Sequence, residues 1–355
     1  MAGHEEISME QPNVMRALEW QANHADNNGA PCTARLIRCF IPLLAGDSEV
    51  GLWMRNWPGL SLEDAMPLRL AGGFHNLHLT GADDRLAPIY SGEVTDQGEV
   101  DRIVAAVVRD HDARLATWFA GPPQTNEAGR SAGIMAQLLW LSPRVGSRFE
   151  LNEIGSSAGI NTMMERFSFD LGGVQAGVPG SPMRIVPEWR GPPPPDNPVE
   201  IVAIQGCDLA PVDLTDPQAA MRLKSYVWPD MPERLHRIDV AIGFATKRRP
   251  NVAASDAPIW VERRLAAPRE PGVVRVLFHS IVWQYIWAEG RERIESAMEE
   301  AGARATARDP IAWVTVETNR ETFRHELRCR YWPGSGEWHL LGEAHAHGAW
   351  IEWFD

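Results

Sequence analysis

Apolar positions in the first third of the chain recur at helical spacing. The clearest run has branched apolar residues at i, i+3, i+4, i+7 and i+8: Val100, Ile103, Val104, Val107 and Val108. This spacing predicts a helix over 97–119, which ends where Gly121 is followed by two prolines that cannot continue it. Strand-like alternation is absent from residues 1–121, which we therefore predict to form a helical N-terminal region that serves as a lid.

The pattern changes after residue 122, where short β-type runs alternate with helical stretches. The predicted strands are 149–155, 199–204, 252–255, 273–278 and 312–316. The predicted helices are 127–140, 158–167, 218–244 with an interruption near Pro229 and Pro232, and 291–301. Residues 171–198 are rich in glycine and proline and predict an irregular insertion with one strand at 183–187. Three antiparallel strands are predicted at the end of the chain, at 326–332, 338–341 and 349–354.

Alternating strands and helices predict an α/β fold over residues 122–355, with a mostly parallel sheet and an antiparallel edge hairpin. In such open sheets ligands bind at the carboxyl ends of the strands. We therefore expect the binding and catalytic residues to follow the predicted strands.

A glycine-rich turn follows the first predicted strand. Its residues Glu153, Gly155 and Gly159 match the acidic-x-Gly-x-Gly-x-Gly pattern of a class I methyltransferase, and Ser157 replaces the middle glycine. Glycines let the backbone approach a ligand closely, and a helix N-terminus after the turn suits polar groups. This interpretation predicts a binding site for S-adenosylmethionine.

Two other interpretations of the turn stay open. Gly155 to Gly159 is also a Gly-x-Ser-x-Gly elbow, which would make Ser157 the nucleophile of an α/β-hydrolase with Asp256 and either His345 or His347. That fold has several strands before its elbow, whereas the preceding residues here have a helical pattern. The third interpretation is a tight structural turn without a ligand.

Acidic residues at two later strand ends extend the methyltransferase interpretation. Asp208 follows the second predicted strand, where that fold holds a ribose, and Asp256 follows the next one, where it holds adenine. The gap between Gly159 and Asp208 is longer than in a compact βαβ unit, and the insertion at 171–198 accounts for the excess.

The remaining candidate residues border the same edge of the predicted sheet. His279 is the candidate general base, and Glu317 and Asn126 are further catalytic candidates. The candidate substrate contacts are Glu127, Arg130, Ser280, Trp283 and Tyr285. Three of these residues, Asn126, Glu127 and Arg130, begin the helix before the first strand, so they either cap that helix or face a substrate.

Composition narrows the classes of partner. The chain has 34 Lys and Arg against 47 Asp and Glu, a net charge of −13 that disfavours nucleic acid and anionic membranes. Four scattered cysteines predict neither a zinc cage nor disulfides. A polar start and the lack of a long apolar run predict a cytoplasmic protein. His345 and His347, with His339 or Glu343, lack a helical His-x-x-x-His pattern, so we predict no metal.

A series of motifs spread over nearly the whole chain resembles family 2332 of the bacterial domains of unknown function. The motifs are Gln124-Thr-Asn-Glu127 with Arg130, Glu153 to Asn161, Ser181-Pro182, Glu188-Trp-Arg-Gly191, Gly206 to Asp213, Trp228-Pro-Asp230, Glu233-Arg234, Phe278-His-Ser280 and His347-Gly348. The resemblance implies a divergent methyltransferase-type Rossmann fold behind a helical N-terminal region. We therefore expect methyl transfer to a small molecule, and the alternative is a non-catalytic binding scaffold.

Overall fold

The computed structural model describes residues 13–355 in two compact units. The first unit contains the chain up to Thr125 together with Asp216–His236, and the second contains Asn126–Thr215 and Arg237–Asp355. The division expected from sequence lay at residue 121 and assigned 216–236 to the α/β part. None of the helices within residues 13–355 has the length and apolar character that a membrane crossing requires.

The first unit is helical. Its helices are α1 (Val14–Asn27), α2 (Pro31–Arg38), α3 (Phe40–Leu43), α4 (Glu49–Arg55), α5 (Met66–Leu79), α6 (Ala87–Tyr90), α7 (Gln97–Ala116) and α9 (Pro217–Ser225). The structure confirms the helix predicted over 97–119, since α7 continues into a 3-10 turn at Thr117–Ala120. Its valines Val100, Val104 and Val107 are fully buried, as the spacing predicts.

An aspartate distant in sequence caps α2. Ala30 precedes this helix and offers no side-chain acceptor. The Asp230 carboxylate instead accepts the N–H groups of Cys32 (2.8 Å) and Thr33 (3.0 Å), and the Thr33 hydroxyl (2.7 Å). The Trp-Pro-Asp motif therefore holds together the helical unit.

Replacing Asp230 with alanine is expected to lower the free energy of unfolding of the helical unit by about 1–2 kcal/mol, because two helix N–H groups lose their acceptor. Urea unfolding followed by circular dichroism measures the change. Asp47→Ala, at an exposed position, is the matched control. Equal stability of the two variants would contradict the capping role.

The second unit is built on a nine-stranded sheet. Its strand order is β5-β12-β11-β10-β9-β8-β1-β6-β7, and a separate small sheet has the order β3-β2-β4. The strands are β1 (Arg148–Ile154), β2 (Ser168–Leu171), β3 (Val174–Gly177), β4 (Arg184–Ile185), β5 (Glu188–Arg190), β6 (Glu200–Asp208), β7 (Val252–Ala254), β8 (Val274–Ser280), β9 (Ile311–Thr318), β10 (His325–Trp332), β11 (His339–Ala344) and β12 (Trp350–Trp353).

Strands β7, β6, β1, β8 and β9 are parallel to their neighbours, whereas β9 to β12 form an antiparallel meander. The edge strand β5 is parallel to β12. The predicted α/β class, with a mostly parallel sheet and an antiparallel edge, is confirmed.

Helices cover both faces of the sheet: α8 (Ser131–Val145), α11 (Ala257–Ala266) and α12 (Ala288–Ala303). A further helix, α10 (Pro232–Lys247), begins in the residues of the first unit and ends in those of the second. Helix α8 packs so closely on β9 and β10 that a Cβ added to Gly133 would lie 2.6 Å from Leu327. On the other face of the sheet, Ile294 and Met298 of α12 are buried in one cluster with Trp313 of β9. Successive side chains of a strand point to opposite faces, so β9 contacts helices on both sides.

The helix predicted over 158–167 is wrong. The chain forms only a 3-10 turn at Asn161–Arg166 before entering β2. The Thr162 hydroxyl donates to the Gly159 carbonyl (2.8 Å), a local side-chain bond that competes with the helical acceptor role of that carbonyl. The insertion, expected to be irregular with one strand, contains β3, β4 and β5.

Candidate functional site

The glycine-rich turn closes on the end of the neighbouring strand β6. Gly155, Ser157 and Gly159 all adopt positive φ (+68°, +50° and +72°). The Ser157 N–H donates to Asp208 Oδ2 (2.8 Å), while Asp208 Oδ1 accepts the N–H of Ala210 (2.9 Å). The structure thus brings together the two residues that the sequence placed at the carboxyl ends of adjacent strands.

The two glycines are required for packing within the protein. A Cβ on Gly155 would lie 2.2 Å from Val282 Cγ2, and one on Gly159 would lie 2.6 Å from Pro250 Cβ. In dinucleotide-binding loops the first glycine likewise permits the tight turn and the third permits close packing. The middle position, occupied here by Ser157, is the one at which the backbone approaches a ligand.

The turn uses its amides internally. The N–H groups of Ser156, Gly159 and Ile160 donate to Cys207 O (3.0 Å), Ser156 O (2.7 Å) and Asn126 Oδ1 (2.7 Å), respectively. Asn126, predicted to be catalytic, is buried and fastens the turn. Without an α-helix after it, the turn presents no helix N-terminus to a ligand.

Glu153 is buried beneath the turn and is 2% exposed. Burial raises the pKa of its carboxyl to about 8, although contacts with Ser156, Asn161 and Arg130 oppose the rise. Its Oε2 has no hydrogen-bond partner among the described residues. Glu153 is therefore inaccessible to a cofactor as the sequence had placed it.

Three acidic residues influence the thiol of Cys207, near the end of β6. Burial raises the pKa of its thiol to about 12, and the charges of Asp208, Glu153 and Asp256 add to the rise. Asp256 begins α11 and buries Oδ1 without a partner among residues 13–355. Asp208 ends β6 and Asp256 follows the neighbouring strand β7.

Glu127 and Arg130 are buried and tie segments of the second unit together. Glu127 Oε1 accepts the N–H of Gly129 (3.0 Å) and faces Arg237 (3.3 Å). The Arg130 guanidinium donates to the carbonyls of Ala346 (2.8 Å) and Ser280 (3.3 Å). These contacts make both residues anchors of the loops at the sheet edge.

His279 and Glu317 meet at the carboxyl ends of β8 and β9, with Nδ1 2.6 Å from Oε1. The Trp313 indole donates its N–H to His279 Nε2 (3.0 Å), and because an indole can only donate, the imidazole proton lies on Nδ1 and points to Glu317. His279 is 1% exposed and both its nitrogens are engaged. This geometry makes His279 a positioning residue instead of the base expected from sequence.

Glu317 Oε1 accepts two further donors, the N–H groups of Val282 (3.0 Å) and Trp283 (3.3 Å). The loop that supplies them starts at Ile281, whose φ of +51° is unfavourable for a β-branched residue. Such strain persists where the surroundings over-determine the backbone, often at functional sites. The loop holds Glu317 in one orientation and leaves Oε2 without a hydrogen bond within the described chain.

A cleft of about 450 Å³ opens above this pair. Its walls include Trp283, stacked on His279 (ring centroids 5.1 Å apart), and Trp338, 5.2 Å from Trp313. Sequence reasoning missed most of its lining: Glu295, Trp313, Thr315, Thr318, Asn319, Arg320, Glu321, Glu326, Arg328 and Trp338. Polar residues at alternate positions of β9 and β10 were the available signal, because such alternation places them on one face.

Other predicted residues lie apart from this cleft. Tyr285 is 75% exposed and does not line it. Ser157 Oγ is buried with no hydrogen-bond partner in the described chain, so the structure does not join it to a histidine. The rings of His345 and His347 are 5.7 Å apart, and no group of three potential metal ligands occurs within residues 13–355.

A model of the family described as an uncharacterized protein conserved in bacteria, DUF2332, matches residues 15–353. Comparisons with curated proteins and with solved structures found no match.

Proposed function

Because this chain belongs to DUF2332, an uncharacterized family conserved in bacteria, we propose its activity from the geometry of the site: it transfers a methyl group from S-adenosylmethionine to a small molecule. The observation that carries this proposal is the bond between Ser157 and Asp208 at the carboxyl edge of the sheet. Ligands of doubly wound sheets bind at that edge.

The direction of the strands supports the same reaction. Across β7-β6-β1-β8-β9 all strands are parallel, with β1 in the centre and the chain switching from one side of it to the other. The next strand, β10, is antiparallel. A parallel sheet with this strand order and an antiparallel strand after it supports the proposal, because the same order is expected of a methyltransferase-type Rossmann sheet; here β9, β10 and β11 are joined as a meander.

The residues at the turn fit the cofactor. Ser157 has a positive φ, the region that favours glycine, and its hydroxyl is buried, so the side chain does not add a group to the outer surface of the turn. Each oxygen of Asp208 accepts one N–H, which leaves a lone pair on each for ribose hydroxyls. Since the turn's amides are used internally, Asp208 and Asp256 would hold the nucleoside.

S-adenosylmethionine supplies an electrophilic methyl group when bound. The chain has to hold the acceptor and remove its proton, and Glu317 would do so. Its Oε1 accepts three hydrogen bonds, so its Oε2 is the oxygen available to take the proton. Trp283 and Trp313 give the cleft apolar walls. Positioning and general-base catalysis are the principal contributions of such a site.

A non-catalytic small-molecule binder is the second candidate. The internal use of the amides of Ser156, Ser157, Gly159 and Ile160 favours it, because the turn then offers few donors to a cofactor.

Calorimetry with S-adenosylmethionine and S-adenosylhomocysteine tests the proposal. We expect both to bind the wild type, and Asp208→Ala to weaken binding by about 10–100-fold, the loss expected for hydrogen bonds to a charged group. Asp196→Ala, at an exposed position, should bind like the wild type. Absence of binding by the wild type at millimolar ligand favours the second candidate and rules out the first.

A further inference from the structure

We propose that the molecule bound above Glu317 is a small organic amine that enters as its ammonium cation. This inference rests on the proposed function, since it identifies the class of methyl acceptor. The observation behind it is the cleft lined by Trp283, Trp313 and Trp338. Its volume of about 450 Å³ lies in the range for small-molecule sites.

The charge of the cleft favours a cation. Four glutamates line it against two arginines: Glu295, Glu317, Glu321 and Glu326 against Arg320 and Arg328. Arg328 Nε is bound to Glu326 Oε2 (2.5 Å), and the Asn319 amide donates to Glu326 Oε1 (2.8 Å). The charges of Glu326 and Arg328 thus largely compensate each other, and Glu317 lines the cleft with all three of its hydrogen bonds made by Oε1.

Glu317 is oriented before any ligand arrives. The Nδ1–H of His279 and two backbone N–H groups hold Oε1, so that Oε2 is the oxygen available to a ligand. Only a hydrogen-bond donor complements a carboxylate oxygen, and an ammonium group is the donor with matching charge. His279 acts through Glu317 and does not offer a nitrogen to the ligand.

Aromatic rings complete the site for a cation with an apolar body. Trp283 and Trp338 flank Trp313 at centroid distances of 5.5 Å and 5.2 Å. Tryptophan faces attract ammonium groups and also pack against apolar groups. The Arg330 guanidinium, on β10, already lies 5.3 Å from the centroid of the Trp338 ring, so this ring accommodates a positive charge.

The same carboxylate prepares the amine for methylation. One N–H bond of the ammonium breaks, the proton passes to Glu317 Oε2, and the electron pair remains on nitrogen as the lone pair that accepts the methyl group. The tryptophan walls reduce competition from water at that step.

The test compares two ligands of similar size and opposite charge, 2-phenylethylamine and 3-phenylpropionate, by calorimetry in the absence of S-adenosylmethionine. We expect the amine to bind the wild type and the carboxylate not to bind. Glu317→Gln should weaken amine binding by at least about tenfold, the loss of a charged hydrogen bond. Trp338→Ala, whose side chain is 39% exposed, should also weaken it. Glu262→Gln, on α11 at a surface ion pair, is the matched control.

Equal binding of the two ligands, no amine binding at 10 mM (about the weakest affinity worth assigning to a site), or amine binding that survives both Glu317→Gln and Trp338→Ala would overturn the inference. A protein that binds the amine but not S-adenosylmethionine keeps this cleft and loses the proposed function. One that binds S-adenosylmethionine but not the amine keeps the function and loses the acceptor class.

Discussion

Above neutral pH, the Glu153→Gln variant is expected to have a higher free energy of unfolding of the α/β unit than the wild type. Near pH 5 the two proteins are expected to be almost equally stable. Burial raises the pKa of this carboxyl from 4.5 to about 8 in the folded chain. The folded state therefore keeps a proton that the unfolded state releases, so the contribution of Glu153 to stability is fully present below pH 4.5 and is lost as pH rises to 8. Each pH unit in that window costs about 1.4 kcal/mol, or about 5 kcal/mol in total.

Glutamine keeps the shape of the protonated carboxyl and cannot ionise, so the variant escapes this loss. Urea unfolding at pH 5, 6.5 and 8, followed by hydrogen exchange in peptides covering β1, measures the difference. Glu63→Gln, at an exposed position in the helical unit, controls for the change in net charge. Parallel pH profiles for Glu153→Gln and the wild type would show that Glu153 is ionised in the folded protein.

Arg275→Met is expected to destabilise the same unit by about 3–5 kcal/mol, because it breaks a buried ion pair. Arg275 on β8 is 2% exposed, and its Nη2 lies 3.0 Å from Glu150 Oε2 on β1. The guanidinium also donates to the carbonyls of Ala267 (2.8 Å) and Pro268 (3.2 Å) after α11. Its removal leaves the buried Glu150 carboxylate with Arg264 as its remaining cationic partner, and leaves both carbonyls without this donor.

Arg293→Met is the matched control for this variant. Arg293 pairs with Glu262 at the surface, where both side chains are nearly half exposed, and such pairs contribute about 0–1 kcal/mol. The double variant Glu150→Met with Arg275→Met should recover part of the loss, because the buried carboxylate is then removed with its partner, while the partly exposed Arg264 keeps its bond to Asn152 Oδ1 (3.0 Å). If Arg275→Met costs no more than Arg293→Met in urea unfolding, the network does not stabilise the sheet.

Local patterns in the sequence determined the elements. The spacing of Val100 to Val108 predicted α7, and the β-type runs before Gly155, Asp208 and His279 predicted three neighbouring strands of the sheet. Both follow from periodicity, which depends only on residues close in the chain. The convergence of Asp208 with the turn was also predictable, because parallel strands end at one edge.

Only the tertiary structure decided the chemistry of the candidate site. His279 was the candidate base from sequence, but in the structure its Nε2 accepts a hydrogen bond from Trp313, 34 residues away. Asn126 was a catalytic candidate from sequence, but its side chain accepts the N–H of Ile160, 34 residues away. The cleft above Glu317 depends on the register of β9 and β10, which pairs Glu317 with Glu326. Hydrogen-bond partners distant in sequence set these roles, and no local pattern records them.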